Sequence, residues 1–433
     1  MASGPPGTFQ ERNDFRHTPP FGAQRYNLSV SSASTSASQP AHPAAGSGRA
    51  LAGFLLSGFL LALLGAILPA WGYQRDPADF ETVGNYFLSL ALGIVGAAVL
   101  ARRVMARWNS AFPLVFSCSL ACLALAFLAM VSPPVSGWWR VGGLFVLGIG
   151  AGLLNIALFE AISGNYRLDA AGTVVRGGIW YGLGCLTATL MVAASLAVGS
   201  SYAYAAPVVL VLMAVVPGGF AVVYARSRWT LHPRESHPGL RQAFKDFRTP
   251  GAILFALILF FQFGNEWSIA GWLPLFLARR LGFSPTAALM TLALYWLFLL
   301  GGRLGAVALL PHVRHGRLLL GSVASALFGC LILYFTQTGF GAASGVFFLG
   351  AGFVSIYPLV AEAIGRRFPY YHPGFFSGIF SLAIVGGLLA PATLGYAAQA
   401  WGVGVLIGIP MFGACMVLLL LPLIWLEAKV TGR

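Results

Sequence analysis

After residue 48 the chain is a succession of unbroken apolar runs, divided by short polar or basic links. A run of about 20 apolar residues is the length a helix needs to cross the hydrocarbon core of a bilayer. The pattern predicts twelve such helices, at 50–72, 84–101, 111–131, 138–162, 172–199, 203–225, 251–278, 286–310, 317–336, 339–365, 373–399 and 402–426. The alternating segments of about ten residues that a membrane β-barrel requires are not seen in these runs. Residues 1–48 are rich in Ser, Pro, Ala and Gly without periodicity, which predicts a disordered tail. They lack the apolar region of a signal peptide. The expected organisation is a tail (1–48), a six-helix bundle (49–225), a linker loop (226–250), a second six-helix bundle (251–427) and a short tail (428–433).

Charge gives this pattern an orientation. Only 9% of the 433 residues are charged, against about 25% in soluble proteins, which excludes a soluble enzyme or a disordered chain. With both ends placed in the cytoplasm, twenty of the 26 Lys and Arg fall on that side and four, including Arg140, fall outside; Arg176 and Arg303 lie within helices. This bias predicts cytoplasmic termini in a plasma (bacterial inner) membrane. The formal charge of +14 is then topological, reinforced by anionic lipid, and implies no nucleic-acid partner. All five cysteines sit in predicted helices and read as packing residues; Cys118 and Cys122 are one turn apart on one helix, which disfavours a disulfide or a metal site.

The two bundles repeat each other. Helix 4 carries Leu147-Gly148-x-Gly150 and then Glu160-Ala161-Ile162; helix 10 carries Leu349-Gly350-x-Gly352 and then Glu362-Ala363-Ile364, every pair 202 apart. The offset continues through Gly172/Gly374, Gly184/Gly386, Leu186/Leu388 and Ala188/Ala390. Helices 2 and 8 match at an offset of 209, through Tyr86/Tyr295, Gly93/Gly302 and Gly96/Gly305. The predicted fold class is therefore an all-α integral membrane protein of twelve transmembrane helices in two six-helix pseudo-repeats.

This organisation resembles the major facilitator superfamily, whose two halves rock around a central site. Within it, the second half resembles the fucose–proton and hexose–proton symporter family. The resembling stretches are Gly264-Asn265-Glu266, Gly271-Trp272-Leu273-Pro274, Tyr295-Trp296, Gly302-Arg303-Leu304, Gly352 to Pro358, and Val385-Gly386-Gly387. The first half is similar mainly at Gly148–Asn155 and Gly182–Gly184. Two positions depart from the family: helix 1 has no acidic residue, and Asn155 stands where the family carries a glutamate in helix 4. The resemblance implies a monomeric secondary active transporter for a small polar solute, most simply a sugar such as a hexose. Its other partners would be a coupling proton (or sodium) and membrane lipids, with no cofactor, no metal and no enzymatic activity. An exporter of amphiphilic solutes or a lipid flippase is the alternative on the same fold.

Charges inside membrane helices mark functional candidates. Glu266 lies about 15 residues, or roughly 22 Å, into helix 7, with no basic residue within a turn and with Gln262 and Asn265 nearby. Desolvation penalises its charged form, so it is the candidate for proton coupling. Glu160, Arg167 and Arg176 in the first half, with Glu362 and Arg366 in the second, predict salt bridges at an inner gate; Glu362 and Arg366 have the i,i+4 spacing of an ion pair. Arg303 reads either as a tie to another helix or loop or as a substrate contact. Sugars stack on aromatic rings and need polar partners for their hydroxyls. The candidate substrate contacts are therefore Asn155, Tyr181, Gln262, Asn265, Glu266, Trp272, Trp296 and Tyr357, with Trp180, Trp267 and Tyr295 as further aromatics in the same zone.

Overall fold

The computed structural model describes residues 47–75, 79–107, 111–168, 170–199, 202–227, 244–309, 312–368 and 378–431. These form twelve long helices: α1 (Ser47–Ile67), α2 (Phe80–Arg107), α3 (Ala111–Met130), α4 (Gly137–Leu168), α5 (Ala170–Val198), α6 (Tyr202–Arg226), α7 (Pro250–Leu281), α8 (Pro285–Leu309), α9 (His315–Phe335), α10 (Gly339–Arg367), α11 (Gly378–Trp401) and α12 (Val405–Thr431). A 3₁₀ turn, Phe244–Arg248, precedes α7. All twelve are long and apolar enough to span a membrane. All but the last two residues of the 1–48 tail, and most of the 226–250 linker, lie outside the described residues.

Most helices run past the predicted ends, because membrane helices continue into the polar zone once their backbone is paired. α4 reaches Leu168 and α12 reaches Thr431. Helix 1 falls furthest short of its predicted end. It stops at Ile67 rather than 72, where Pro69 and a left-handed Gly72 (φ 84°) turn the chain. The start predicted for helix 11, at 373, lies outside the described residues. α7 shows how an end is set. Thr249 caps it by accepting from the Ala252 amide, Pro250 occupies its first turn, and left-handed Gly282 (φ 67°) ends it.

Packing repeats with a period of six helices. α1 packs on α5 as α7 packs on α11; α2 packs on α4 as α8 packs on α10; α3 packs on α6 as α9 packs on α12. The halves meet along two equivalent seams, α5 against α8 and α11 against α2. Glycines allow these approaches: Gly93 of α2 and Gly148 of α4 face each other, and a Cβ on either would strike the other's backbone at 3.0–3.1 Å.

Candidate functional site

A cavity of about 40 Å³ lies between the halves, walled by α1, α2, α5, α7, α8 and α11. Its lining is mostly carbon: Leu61 and Gly65, Phe87 and Leu90, Leu388 and Pro391, with Tyr181, Trp267 and Trp296 as the residues able to hydrogen bond through their side chains. A volume of this size holds one or two waters; a small-molecule site spans about 300–1,000 Å³. The described residues thus leave between the halves a space far smaller than such a site.

Both exits are sealed, by different means. Toward the face opposite the chain termini, backbone meets backbone. A Cβ on Gly395 of α11 would lie 2.5 Å from the Gly84 Cα and 2.6 Å from the Phe80 carbonyl oxygen of α2. Beside this seam the Tyr396 hydroxyl donates to Asn85 Oδ1 at 2.6 Å, and the Phe80 amide donates to Gln399 at 3.2 Å. Trp272 completes the seal: it stacks on Phe87 (centroids 5.3 Å) and its Nε1–H donates to the Pro391 carbonyl at 2.9 Å. Toward the terminal face the seal is aromatic. Phe54 and Phe159 of the first half meet edge-on at 5.3 Å, and Phe159 reaches Phe380 of the second half at 5.6 Å. Phe380 in turn contacts Phe263 and Tyr357, both at 5.5 Å.

Behind the cavity wall lies an ion pair. Glu266 of α7 and Arg303 of α8 approach to 3.6 Å, their side chains only 11% and 14% exposed. Arg303 also donates through Nη1 to the carbonyl of Gly178 on α5. The guanidinium thus joins a carboxylate of the second half to the backbone of the first. Gly178 and Gly182 make room for it, since a Cβ at Gly178 would lie 3.0 Å from the guanidinium carbon.

The expected contacts divide accordingly. Tyr181 and Trp296 line the cavity, and Glu266 stands behind them. Gln262, one turn before Glu266 on α7, is buried. Asn265 turns the other way, with its side-chain oxygen against Gly413 of α12. Asn155 is committed to its neighbours: it accepts from Ser57 at 2.8 Å and donates to the Ala151 carbonyl at 2.8 Å. Trp272 and Tyr357 belong to the two seals.

The gate charges are spread along the terminal face. Glu362 pairs with Arg366, one turn on, and with His315 of α9 at 3.5 Å, so this cluster ties α10 to α9 within one half. Arg176 is exposed, Glu160 is partly buried, and Arg167 lies in α4 with its side chain outside the described set. Sequence reasoning missed Arg367, which pairs with Glu427 of α12, and the aromatic cluster formed by Phe54, Phe159, Phe263 and Phe380. It also counted Arg140 as an outer-loop charge. The residue is buried in the first turn of α4, where two tyrosine hydroxyls and two carbonyls accept from its guanidinium.

A curated Yersinia pestis protein, described as an uncharacterized MFS-type transporter, is 23% identical over 386 residues, covering 85% of this chain and 91% of its own. Solved structures share the fold. The fucose–proton symporter FucP, in its outward conformation, is 16% identical over 88% of this chain and 99% of its own, with a TM-score of 0.58. The D-xylose–proton symporter is 14% identical over 88% and 96%, with a TM-score of 0.66. The nucleoside transporter NupG is 15% identical over 88% and 99%, with a TM-score of 0.61. The sequence profile of the Major Facilitator Superfamily matches residues 10–176 and 176–391. The chain is an integral, multi-pass membrane protein and belongs to the Major Facilitator Superfamily of transporters.

Proposed function

We propose that this protein is a proton-coupled secondary transporter that carries a small solute through the central cavity by alternating access, with both termini in the cytoplasm. The observation that carries the reading is the Glu266–Arg303 pair, which reaches across the seam to Gly178 directly behind the cavity wall. A carboxylate can take up a proton and lose its charge; a guanidinium cannot. Protonation of Glu266 would remove the charge that holds the Arg303 guanidinium within the second half and leave the Gly178 carbonyl of the first half as its remaining partner. Proton occupancy is thereby linked to the strength of the contact between the halves, which is the requirement for coupling.

For the cargo, a sugar is supported by the aromatic walls of Tyr181, Trp267 and Trp296 and by the likeness to two sugar–proton symporters. A second reading, a solute with an apolar or aromatic body, is favoured by the lining itself, which offers few groups to satisfy the hydroxyls of a hexose. An unpaired hydroxyl is costly to bury. The deciding experiment is a thermal-shift panel on the purified protein with hexoses, pentoses, nucleosides and hydrophobic cations, since a ligand of the native state raises Tm. The hit is then followed in proteoliposomes under an imposed proton gradient. A hexose shift supports the sugar reading; a shift only with aromatic amphiphiles supports the second. Uptake indifferent to the gradient, or unchanged in Glu266→Gln, refutes the coupling.

A further inference from the structure

The larger described cavity is not the central one. It measures about 310 Å³ and opens on the face opposite the termini, between α2, α4 and the turn after α1. Its walls include Tyr73, Asp79, Thr82, Asn85, Ser136 and Arg140. Its volume falls in the range of small-molecule sites, and its chemistry is the reverse of the central cavity's.

Arg140 is the unusual member. It is 6% exposed. Its Nε donates to the Tyr86 hydroxyl at 2.8 Å, its Nη2 to the Tyr73 hydroxyl at 3.2 Å, and its Nη1 to the Val135 and Val131 carbonyls at 3.1 and 3.4 Å. All four acceptors are neutral. A guanidinium has five N–H groups, so one is left over. The rings of Trp71 and Tyr86, at 5.5 and 5.7 Å, offset part of the charge. No ion pair joins Arg140 to a carboxylate among the described residues. A buried cation facing only neutral partners among the described residues is costly, and an anion entering the cavity would offset that cost.

The other walls add to the specification. Asp79 accepts from the Thr82 amide through one oxygen at 2.9 Å, leaving the other to accept from a ligand. Asn85 accepts from Tyr396 through its oxygen, leaving its amide nitrogen to donate. We propose that this cavity is a second binding site, separate from the central one, for a small carboxylate that also carries a donor: a hydroxy acid or an amino acid. Arg140 receives the carboxylate, and Asp79 receives the hydroxyl or ammonium group. Asn85 also belongs to the seal between α2 and α11, so an occupied site favours the form closed on this face.

The test uses the full-length protein in detergent, titrated by calorimetry with lactate, malate and serine, and with glycerol as the neutral control. At least one acid should bind and glycerol should not. Asp79→Asn should weaken binding about tenfold, and Ser136→Trp, which fills the cavity from an exposed position, should abolish it. Trp296→Ala, in the central cavity, should leave it unchanged. Arg140→Gln should also lose binding; since that variant can fail to fold, the other two decide the case. Absence of acid binding up to millimolar concentration overturns the proposal. So does binding that survives Ser136→Trp, or that is lost in Trp296→Ala alone.

Discussion

Glu266→Gln and Arg303→Gln cut the same ion pair, yet they should not cost the same. At 3.6 Å and an effective dielectric constant of about 20, the pair attracts by about 4.6 kcal/mol. That agrees with the 3–5 kcal/mol typical of breaking a buried pair, and exposures of 11% and 14% leave little solvent screening. Glu266→Gln strands a permanent cation with only the Gly178 carbonyl and a neutral amide as partners, so about 3 kcal/mol should be lost. At about 2.1 cal/mol/K per residue, the 433 residues turn this into a fall in Tm of about 3 °C. Arg303→Gln strands a carboxylate, which can take a proton; its cost should stay near 1–2 kcal/mol. The assay is thermal unfolding of the three proteins in the same detergent, followed by tryptophan fluorescence. Equal Tm for Glu266→Gln and wild type, or a larger loss for Arg303→Gln, would refute the assignment of a buried charged pair.

Other predictions concern the seals. Gly395→Ala places a methyl 2.5 Å from the Gly84 Cα and should force α2 from α11. In a cysteine-free background, labelling of Leu90→Cys by an impermeant thiol reagent should then rise about tenfold from that face. Phe380→Ala removes the ring shared by Phe159, Phe263 and Tyr357, and the same cysteine should become accessible from the terminal face instead. Trp272→Phe keeps a ring against Phe87 but loses the bond to Pro391; a loss of about 1 kcal/mol in stability is expected.

The helices and their six-and-six repeat could be read from the sequence because both rest on strong signals: long apolar runs, and glutamates set in matching glycine frames. The rotation of each helix about its axis could not. In a membrane, the lipid-facing side is as apolar as the packed side, so hydropathy does not say which way a residue points. That is why Asn155 looked like a substrate contact and is bound to Ser57, and why Trp272 looked like a stacking platform and closes a seam. Glu266 was conspicuous as a charge deep in a helix. Its partner lies on the next helix, where spacing along the chain gives no distance. Arg140 was hidden by counting: as one of four outer basic residues it served the topology, and nothing nearby in sequence shows Tyr73 and Tyr86 closing on it.

Rocking of the two halves about the cavity, under the control of Glu266, would be seen in spin-label distances on both faces. One pair, Arg103→Cys with Gly365→Cys, spans the terminal face; the other, Trp139→Cys with Trp401→Cys, spans the opposite face. All four positions are exposed. If the account holds, the two distances will change in opposite directions as pH is lowered, and Glu266→Gln will hold both at one value across the range. A single distance on each face, unchanged by pH and by the substitution, would contradict it.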